Sequence, residues 1–214
     1  MNPWLQIPSS DYEAHMSSPD VQQLPVLNEI FRRVVDHFNP RSVCIPGSTT
    51  GNGFEHLIGR ELDLILGVDI NYRFLSECRA WFAEDLPNLN LLCADLNSLV
   101  FRKGSFDLVH AALVFEYVDV DKLVADIYGW LNWGGIMSVV LQLPSEHSAP
   151  VSDTPYESLK QLSKLLKLVE VDRFIDIAGQ KGFTEIKSEY VDLQKGKKFY
   201  VGYFKKMGVF SIGS

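Results

Sequence analysis

The stretch SVCIPGSTTGNG, residues 42–53, decides the fold. It opens with a short apolar run that suits a buried strand, and it continues into a turn of glycine and small residues that leads to a helical segment. Gly47 and Gly51 can take backbone angles that other residues resist, so the N–H groups of this turn can approach a ligand closely. A strand, a glycine turn and a helix in this order are typical of the first unit of a nucleotide-binding sheet. Because glycine loops also simply turn a chain, the stretch alone leaves the function open.

Downstream, short apolar runs alternate with helical patterns. The predicted strands that follow 42–45 cover residues 62–68, 89–94, 106–113 and 136–143. Continuous apolar strands interleaved with helices are typical of a parallel sheet that is covered on both faces. The last two predicted strands, 184–193 and 198–205, are joined through a Lys-Gly-Lys linker that favours an antiparallel hairpin. We therefore predict an α/β fold: a Rossmann-like, doubly wound sheet of seven strands, mostly parallel, with an antiparallel C-terminal hairpin and helices on both faces.

The length of 214 residues suits one domain with a core of ordinary size. We predict a single domain with four parts. Apolar spacing also predicts an amphipathic helix at residues 156–168, in the third part. The parts are an N-terminal cap and helix at 1–40, a ligand-binding core at 41–143, an insertion or lid at 144–170, and a C-terminal helix with the hairpin at 171–214.

The composition makes several classes of function poor candidates. The formal net charge is −7 and the basic residues do not cluster, so a phosphate backbone would be repelled and we expect no nucleic-acid partner. No apolar run reaches the roughly 20 residues that a bilayer span needs, and the N-terminus lacks a signal-peptide pattern, so we expect no membrane association. The cysteines Cys44, Cys78 and Cys93 lack metal-ligand spacing. We expect reduced thiols, no metal site and a cytoplasmic location.

Two aspartates follow predicted strands. Asp69 comes 22 positions after Gly47, and an acidic residue about 20 positions after the glycine turn is where a ribose diol is held by two hydrogen bonds. Asp95 ends the third strand, where a carboxylate can accept from an adenine amino group. Each could also be only the N-cap of the segment that follows. The agreement among three successive strand ends favours a nucleoside site.

The whole series resembles the ordered motifs of class I S-adenosylmethionine-dependent methyltransferases, and most closely those of the small-molecule type. After the glycine turn, Asp69 and Asp95, the segment FDLVHAALVFEYV at 106–118 is similar to the family's fourth-strand motif. The turn LNWGG at 131–135 is similar to its "LkPGG" turn, and Gly182-Phe183 matches the usual approach to the hairpin. The resemblance spans residues 42–205.

The resemblance implies S-adenosylmethionine as cofactor and a role for each matching position. The amino-acid part would lie along Gly47, Ser48, Thr49 and Gly51. The ribose hydroxyls would be held by Asp69 with Ile70 beside it, and the adenine would meet Asp95 and Leu96. The sulfonium would lie beside His110, Ala111 and Ala112. Two positions depart from the family. An acidic residue is usual where this sequence has Ile45, and a second glycine is common in place of Thr49, so cofactor affinity is expected to be weaker unless another residue substitutes.

Transfer of a methyl group from a sulfonium is an in-line displacement that mainly requires alignment, and a general base is needed only if the acceptor must lose a proton. The predicted partner is a small-molecule acceptor. The oligomeric state that we consider is a homodimer. The catalytic candidates are His147, Glu116 and His15, although an isolated loop histidine is more often only solvated. The candidates for acceptor contact or for a lid are Tyr12, Tyr117 and Tyr156.

Two alternatives share the nucleoside site. A catalytically degenerate protein could retain the pocket and bind a nucleoside without transferring anything. An NAD-dependent oxidoreductase would share the glycine turn and Asp69, but the C-terminal hairpin suits a methyltransferase better.

Overall fold

A seven-stranded sheet organises the residues that the structure, a computed structural model, describes, which are 2–145 and 154–207. The strands are β1 (Ser42–Pro46), β2 (Leu64–Asp69), β3 (Leu89–Cys93), β4 (Phe106–Ala112), β5 (Leu131–Gln142), β6 (Phe183–Asp192) and β7 (Lys198–Lys206). The α-helices in these ranges are α1 (Ser9–Met16), α2 (Gln23–Phe38), α3 (Tyr72–Phe82), α4 (Val120–Trp130), α5 (Glu157–Lys160) and α6 (Val171–Gln180).

The strand order is β3-β2-β1-β4-β5-β7-β6. The first five strands run parallel, whereas β7 lies antiparallel between β5 and β6. The predicted fold class, including the antiparallel hairpin at the C-terminus, is therefore confirmed. Because the chain proceeds from β1 to β3 in one direction and then crosses to β4, the crevice outside the ends of β1 and β4 is the place where such sheets bind ligands.

The two faces of the sheet are buried by different helices. Helices α1, α2, α3 and α5 contribute to one apolar cluster, and α4 and α6 contribute to the other. Successive residues of β1 alternate between them, because Val43 and Ile45 point to the first cluster and Cys44 to the second. Burial on both faces explains why β1 is apolar along its length.

Local capping fixes the helices that follow β2 and β4. The side chain of Asn71 accepts a hydrogen bond from the backbone N–H of Arg73 at the start of α3, and Asp119 does the same for Lys122 at the start of α4. These caps set the helix starts directly after the carboxyl ends of the strands. They therefore also shape the edge at which the functional site lies.

The predicted helix at 156–168 is wrong in extent. The structure has the single turn α5, followed by a 3-10 segment, Gln161–Lys164. The chain then leaves helical geometry because the N–H of Lys167 donates to the carbonyl of Glu116, 2.9 Å away, rather than to a carbonyl within its own segment. In the described ranges, no helix combines the length and apolar composition that crossing a bilayer would demand.

Candidate active site

A cavity of about 770 Å³ lies at the carboxyl edge of the sheet. Its volume falls in the range of roughly 300–1,000 Å³ that is typical of small-molecule sites. Its walls come from the N-terminal segment, from the ends of β1 to β4 and from the segment after α5. The lining residues are Asn2, Pro3, Trp4, Tyr12, Gly47, Thr49, Asp69, Ile70, Ala94, Asp95, Leu96, Asn97, Ala112, Leu113, Val114, Glu116, Tyr117, Val118, Asp119, Lys164, Leu165 and Lys167.

The glycine turn supplies one wall of the cavity through Gly47 and Thr49. The N–H of Gly47 donates to the carbonyl of Val68 at 2.8 Å, which holds the turn against the end of β2. Gly47 has φ +71°, and a Cβ there would lie 3.3 Å from the side chain of Val114, so a larger residue would narrow the cavity. Thr49 has φ +48°, a conformation that is unfavourable for a β-branched residue. This backbone explains why glycine is common at that position in the family that the sequence resembles.

Asp69 is buried at the end of β2 and braces the turn. One carboxylate oxygen accepts from the N–H of Thr49 at 3.0 Å, and the other accepts from the N–H of Asn71 at 2.8 Å. A third hydrogen bond comes from the backbone of Ile70, and because an ionised carboxylate offers about four acceptor positions, about one remains for a hydroxyl group of a ligand. Burial raises the pKa of Asp69 to about 6, although the hydrogen bonds from Asn71, Thr49 and Ile70 oppose the rise. A hydroxyl of a ribose diol would supply a donor for the remaining position of this buried carboxylate.

The end of β3 forms the next part of the cavity. Asp95 is exposed, and one of its carboxylate oxygens accepts from both the backbone N–H and the side-chain amide of Asn97 at 2.9 Å. Leu96 and Ala94 line the cavity beside it. Gly47, Asp69 and Asp95 therefore face one cavity, with apolar side chains near the position predicted for the adenine.

Two residues of the glycine turn do not line the cavity. The side chain of Ser48 packs over β2, where a Cβ on Gly67 would lie 3.0 Å from its hydroxyl oxygen. Gly51 faces α3, and a Cβ there would lie 2.8 Å from the sulfur of Cys78. The roles predicted for Ser48 and Gly51 therefore need correction: their side-chain positions serve the packing of the turn rather than contact with a ligand.

His110 and Ala111 lie in the core instead of in the cavity. The Nδ1 of His110 is 3.0 Å from the hydroxyl of Ser138, and its ring packs 4.9 Å from the ring of Phe31. Burial lowers the pKa of His110 to about 4, so the imidazole stays neutral. Both residues precede the end of β4 and point to the two faces of the sheet. The cavity is lined by residues 112–114, at the end of β4 and directly after it, where Leu113 has φ +53°.

The N-terminal segment, residues 2–16, lies over the cavity. The side-chain amide of Asn71 donates to the carbonyls of Trp4 and Ile7 at 2.9 and 3.0 Å, and Asn71 also donates its backbone N–H to Asp69. Sequence reasoning predicted a cap here but missed the contribution of Trp4. The available signal was a large aromatic residue just after a helix-capping Asn2-Pro3 pair.

Helix α1 brings Tyr12 and Glu13 to the glycine turn. Tyr12 hydrogen-bonds the side chain of Thr49, and Glu13 accepts a hydrogen bond from the hydroxyl of Thr50. Burial and the nearby Asp69 raise the pKa of Tyr12, so the phenol stays protonated. The predicted lid residue Tyr12 thus lies against the cavity and is fixed by the same turn that borders it.

Glu116 and Tyr117 line the cavity after β4. Glu116 is 2% exposed, and its Oε1 accepts from the backbone N–H of Gln142, at the end of β5, at 2.9 Å. Burial raises the pKa of Glu116 to about 7. The ring of Tyr117 meets the ring of Trp4 edge to face, with 5.1 Å between their centroids.

A second, smaller cavity of about 70 Å³ adjoins the first. Trp4, Tyr12, Leu113 and Tyr117 line both cavities. The smaller one also contains the predicted candidate His15, whose pKa is lowered by burial and by the nearby Lys197. Lys197 also lines it, and its other walls are apolar or neutral: Met16, Gln23, Gln142, Leu159, Leu162 and Leu166.

Two predicted residues are not brought to either cavity. Tyr156 packs against the first apolar cluster beside α5 and lines neither space, which corrects its predicted role in acceptor contact. His147 lies outside the described residues. Within the described part of the chain, no three His, Cys, Asp or Glu side chains come together as metal ligands would.

The chain is similar to known methyltransferases in sequence pattern and in fold. Residues 46–139 match the family model described as a methyltransferase domain. No curated protein matches the chain in sequence.

Three solved structures show the same fold. The N-methyltransferase NodS from Bradyrhizobium japonicum WM9, in complex with S-adenosyl-L-homocysteine, has a TM-score of 0.69 and 13% identity over 96% of this chain and 99% of its own. An S-adenosylmethionine-dependent methyltransferase from Mesorhizobium loti has a TM-score of 0.66 and 18% identity over 85% and 99%. Phosphoethanolamine N-methyltransferase 2 from Haemonchus contortus, in complex with S-adenosyl-L-methionine, has a TM-score of 0.64 and 16% identity over 94% of this chain and 60% of its own.

The matched family model begins at the end of β1 and ends within β5, so it contains the glycine turn, Asp69 and Asp95. The sheet order and the antiparallel hairpin extend the agreement to the C-terminal part of the chain. The residues that line the cavity fit S-adenosylmethionine, the cofactor of these methyltransferases. The buried carboxylate of Asp69 can accept a hydrogen bond from a ribose hydroxyl, and the glycine turn lets the backbone approach the ligand closely. Residues 46–139 therefore match a methyltransferase domain, and the chain has the fold of S-adenosylmethionine-dependent methyltransferases.

Proposed function

We propose that this protein transfers the methyl group of S-adenosylmethionine to a small-molecule acceptor by in-line displacement. The observation that carries the proposal is the continuous cavity from Asp95 to Glu116 along the carboxyl edge of the sheet. Asp69 would hold the ribose hydroxyls, Leu96 would pack on the adenine, and the backbone at Gly47 and Thr49 would border the amino-acid part. When bound, S-adenosylmethionine supplies a methyl group activated by the adjacent sulfonium.

The protein's own contribution is to position the acceptor and to limit access of water. Trp4, Tyr12 and Tyr117 border both the large and the small cavity, so an acceptor in the small cavity would abut the large one. Alignment of this kind can be worth several kcal/mol of the barrier. The small volume of about 70 Å³ and its mostly apolar walls favour a small molecule or one small group of a larger one. The Haemonchus neighbour is likewise named for a small molecule.

A second candidate is a protein that binds the nucleoside without transferring a methyl group. The observation in its favour is Ile45, which is buried in the first apolar cluster where the family usually has an acidic residue. A carboxylate that would help to position the cofactor's ammonium is therefore missing at the end of β1. Binding would persist in this case, and transfer would not.

Calorimetry and thermal unfolding with S-adenosylmethionine, S-adenosylhomocysteine and NAD test the proposal. Ligand at 100 times its dissociation constant should stabilise the protein by about 2.7 kcal/mol, or roughly 5–10 °C for a chain of this size. We expect both adenosyl ligands, but not NAD, to raise the melting temperature. A response to NAD alone would reject the proposal. Binding without methyl transfer to any of a broad set of small acceptors would favour the second candidate.

The cytoplasmic location, the exclusion of nucleic acid and the homodimer stay predictions. Gel filtration with light scattering would measure the assembly. A binding assay with double-stranded DNA at 50 mM salt would test the exclusion of nucleic acid, because low salt favours electrostatic association.

A further inference from the structure

The carboxylate of Glu116 is buried with only one of its oxygens satisfied. Oε1 accepts the hydrogen bond from the N–H of Gln142. Oε2 has no hydrogen-bond partner among the described residues, and Glu116 lines the large cavity. An unsatisfied buried polar atom costs about 1–3 kcal/mol, and more when it is charged. Such atoms are rare in native proteins, so a ligand that completes the site is the simplest reason for keeping one.

The strand order says which ligand group would meet Glu116. Along the carboxyl edge, Asp95 follows β3, Asp69 follows β2 and Gly47 follows β1, so the proposed cofactor spans that half of the edge. Glu116 lies beyond them, between the end of β4 and the end of β5, to which Gln142 ties it. Gln142 also lines the small cavity. Glu116 therefore lines the large cavity and is hydrogen-bonded to a residue of the small one, on the proposed acceptor side.

The surroundings of Glu116 favour a ligand that carries positive charge. The rings of Trp4 and Tyr117 border both cavities, and aromatic ring faces attract cations. Lys164 and Lys167 also line the large cavity, but both are exposed, so water screens their charge. Lys197 is buried in the wall of the small cavity, where burial lowers its pKa and weakens its hold on a proton. A buried carboxylate flanked by aromatic rings is suited to an ammonium group, which has N–H donors and a compensating charge.

We propose that Glu116 is a catalytic residue and that the acceptor is a primary or secondary amine. This inference rests on the proposed function. The ammonium of the acceptor donates a hydrogen bond to Oε2 and then transfers that proton to it. The freed lone pair of nitrogen forms the new C–N bond while the methyl–sulfur bond breaks, and its electron pair goes to sulfur. The products are a methylated ammonium, S-adenosylhomocysteine and a proton, which Glu116 returns to water.

The protonation behaviour of Glu116 agrees with this role. Burial raises its pKa to about 7, close to the pH at which a general base works best. At this pKa the carboxylate accepts a proton from an ammonium group more readily than a carboxylate with an ordinary pKa would.

The test compares matched acceptors and matched variants. The probes are 2-phenylethylamine and propylamine, with 2-phenylethanol, propanol, 3-phenylpropionate and butyrate as their uncharged and anionic counterparts. Methyl transfer from tritiated S-adenosylmethionine is measured for the wild type, for Glu116→Gln and for Glu84→Gln. Glu84→Gln makes the same chemical change at an exposed carboxylate outside both cavities. Calorimetry with S-adenosylhomocysteine measures cofactor binding in all three proteins.

We expect the wild type to methylate at least one amine and neither alcohols nor carboxylates. Glu116→Gln should lower kcat/KM for that amine by about 100-fold or more, the effect of losing a general base, while its affinity for S-adenosylhomocysteine stays within about threefold. Glu84→Gln should match the wild type. Equal methylation of amines and alcohols, no methylation of either amine, or full activity in Glu116→Gln would overturn the inference. The wild-type preference needs no variant, so the test survives a folding defect. If S-adenosylhomocysteine fails to bind the wild type, the proposed function itself fails.

Discussion

Replacing Glu116 by glutamine should stabilise the ligand-free protein, and the gain should grow with pH. Burial raises the pKa of this carboxyl from its ordinary 4.5 to about 7. Between these values the folded protein holds a proton that the unfolded chain has lost, so the stability of the wild type falls as pH rises through this window. The difference of about 2.5 pKa units corresponds to about 3 kcal/mol at 1.36 kcal/mol per unit.

Glutamine does not titrate, so the variant should lack this loss. Its carbonyl can still accept from the N–H of Gln142, and its amide takes the place of Oε2. Near pH 4.5 the wild-type side chain is a neutral acid, and the two proteins should differ little. Above pH 7 the variant should be more stable by about 3 kcal/mol, or roughly 6–12 °C in melting temperature.

Thermal and urea unfolding at several pH values between 4.5 and 8.5 would measure the effect, with Glu84→Gln as the control that should show no trend. Asp69 also has a raised pKa, but it is present in all the proteins, so the difference between variant and wild type isolates Glu116. A difference that does not change with pH, or a variant that is less stable at pH 8, would refute the claim that a buried and incompletely paired charge resides at this position.

Four further results are expected. Asp69→Ala should weaken binding of S-adenosylhomocysteine by more than tenfold in calorimetry; unchanged affinity would remove the ribose assignment. Gly51→Ala should destabilise the protein by about 2–4 kcal/mol in urea unfolding, because of φ +90° and the close contact with α3, whereas Gly59→Ala, with φ +76° and open space, should cost only about 1–2 kcal/mol. Asp107→Ala, at the opposite edge of the sheet, should lower the free energy of unfolding by about 3 kcal/mol or more, because the Asp107 carboxylate accepts four hydrogen bonds. Ligand affinity should not change. Since the pKa of Asp107 is lowered, its contribution to stability should be lost as pH falls below about 4. Saturating S-adenosylhomocysteine should slow amide hydrogen exchange in residues 2–16, and unchanged exchange would contradict a lid there.

The fold could be predicted because its signals are local and repeated. The apolar run at 42–45 and the glycine turn after it predicted β1 and its loop within a residue. The Lys-Gly-Lys linker correctly predicted the antiparallel pairing of β6 and β7. The helix predicted at 156–168 failed because a long-range hydrogen bond, from Lys167 to the carbonyl of Glu116, overrode the local periodicity.

The site could be predicted only where its residues end strands. Asp69 and Asp95 were placed at one edge because parallel strands end together. His110 was assigned to the cavity because the sequence does not mark where β4 ends. Its side chain lies within the strand and packs in the core, whereas residues 112–114 line the cavity. Trp4 was missed because its approach depends on a hydrogen bond from Asn71, almost 70 residues later.

The double role of Asn71 bears on the order in which ligands bind. Its backbone donates to Asp69, and its side-chain amide holds the carbonyls of Trp4 and Ile7. A ribose bound to Asp69 would therefore stabilise the N-terminal segment, residues 2–16, which forms one wall of the neighbouring small cavity. Kinetic patterns should show a compulsory sequence, with the nucleoside first and the acceptor second, and an inhibitor that competes with the acceptor should bind tightly only to the binary complex.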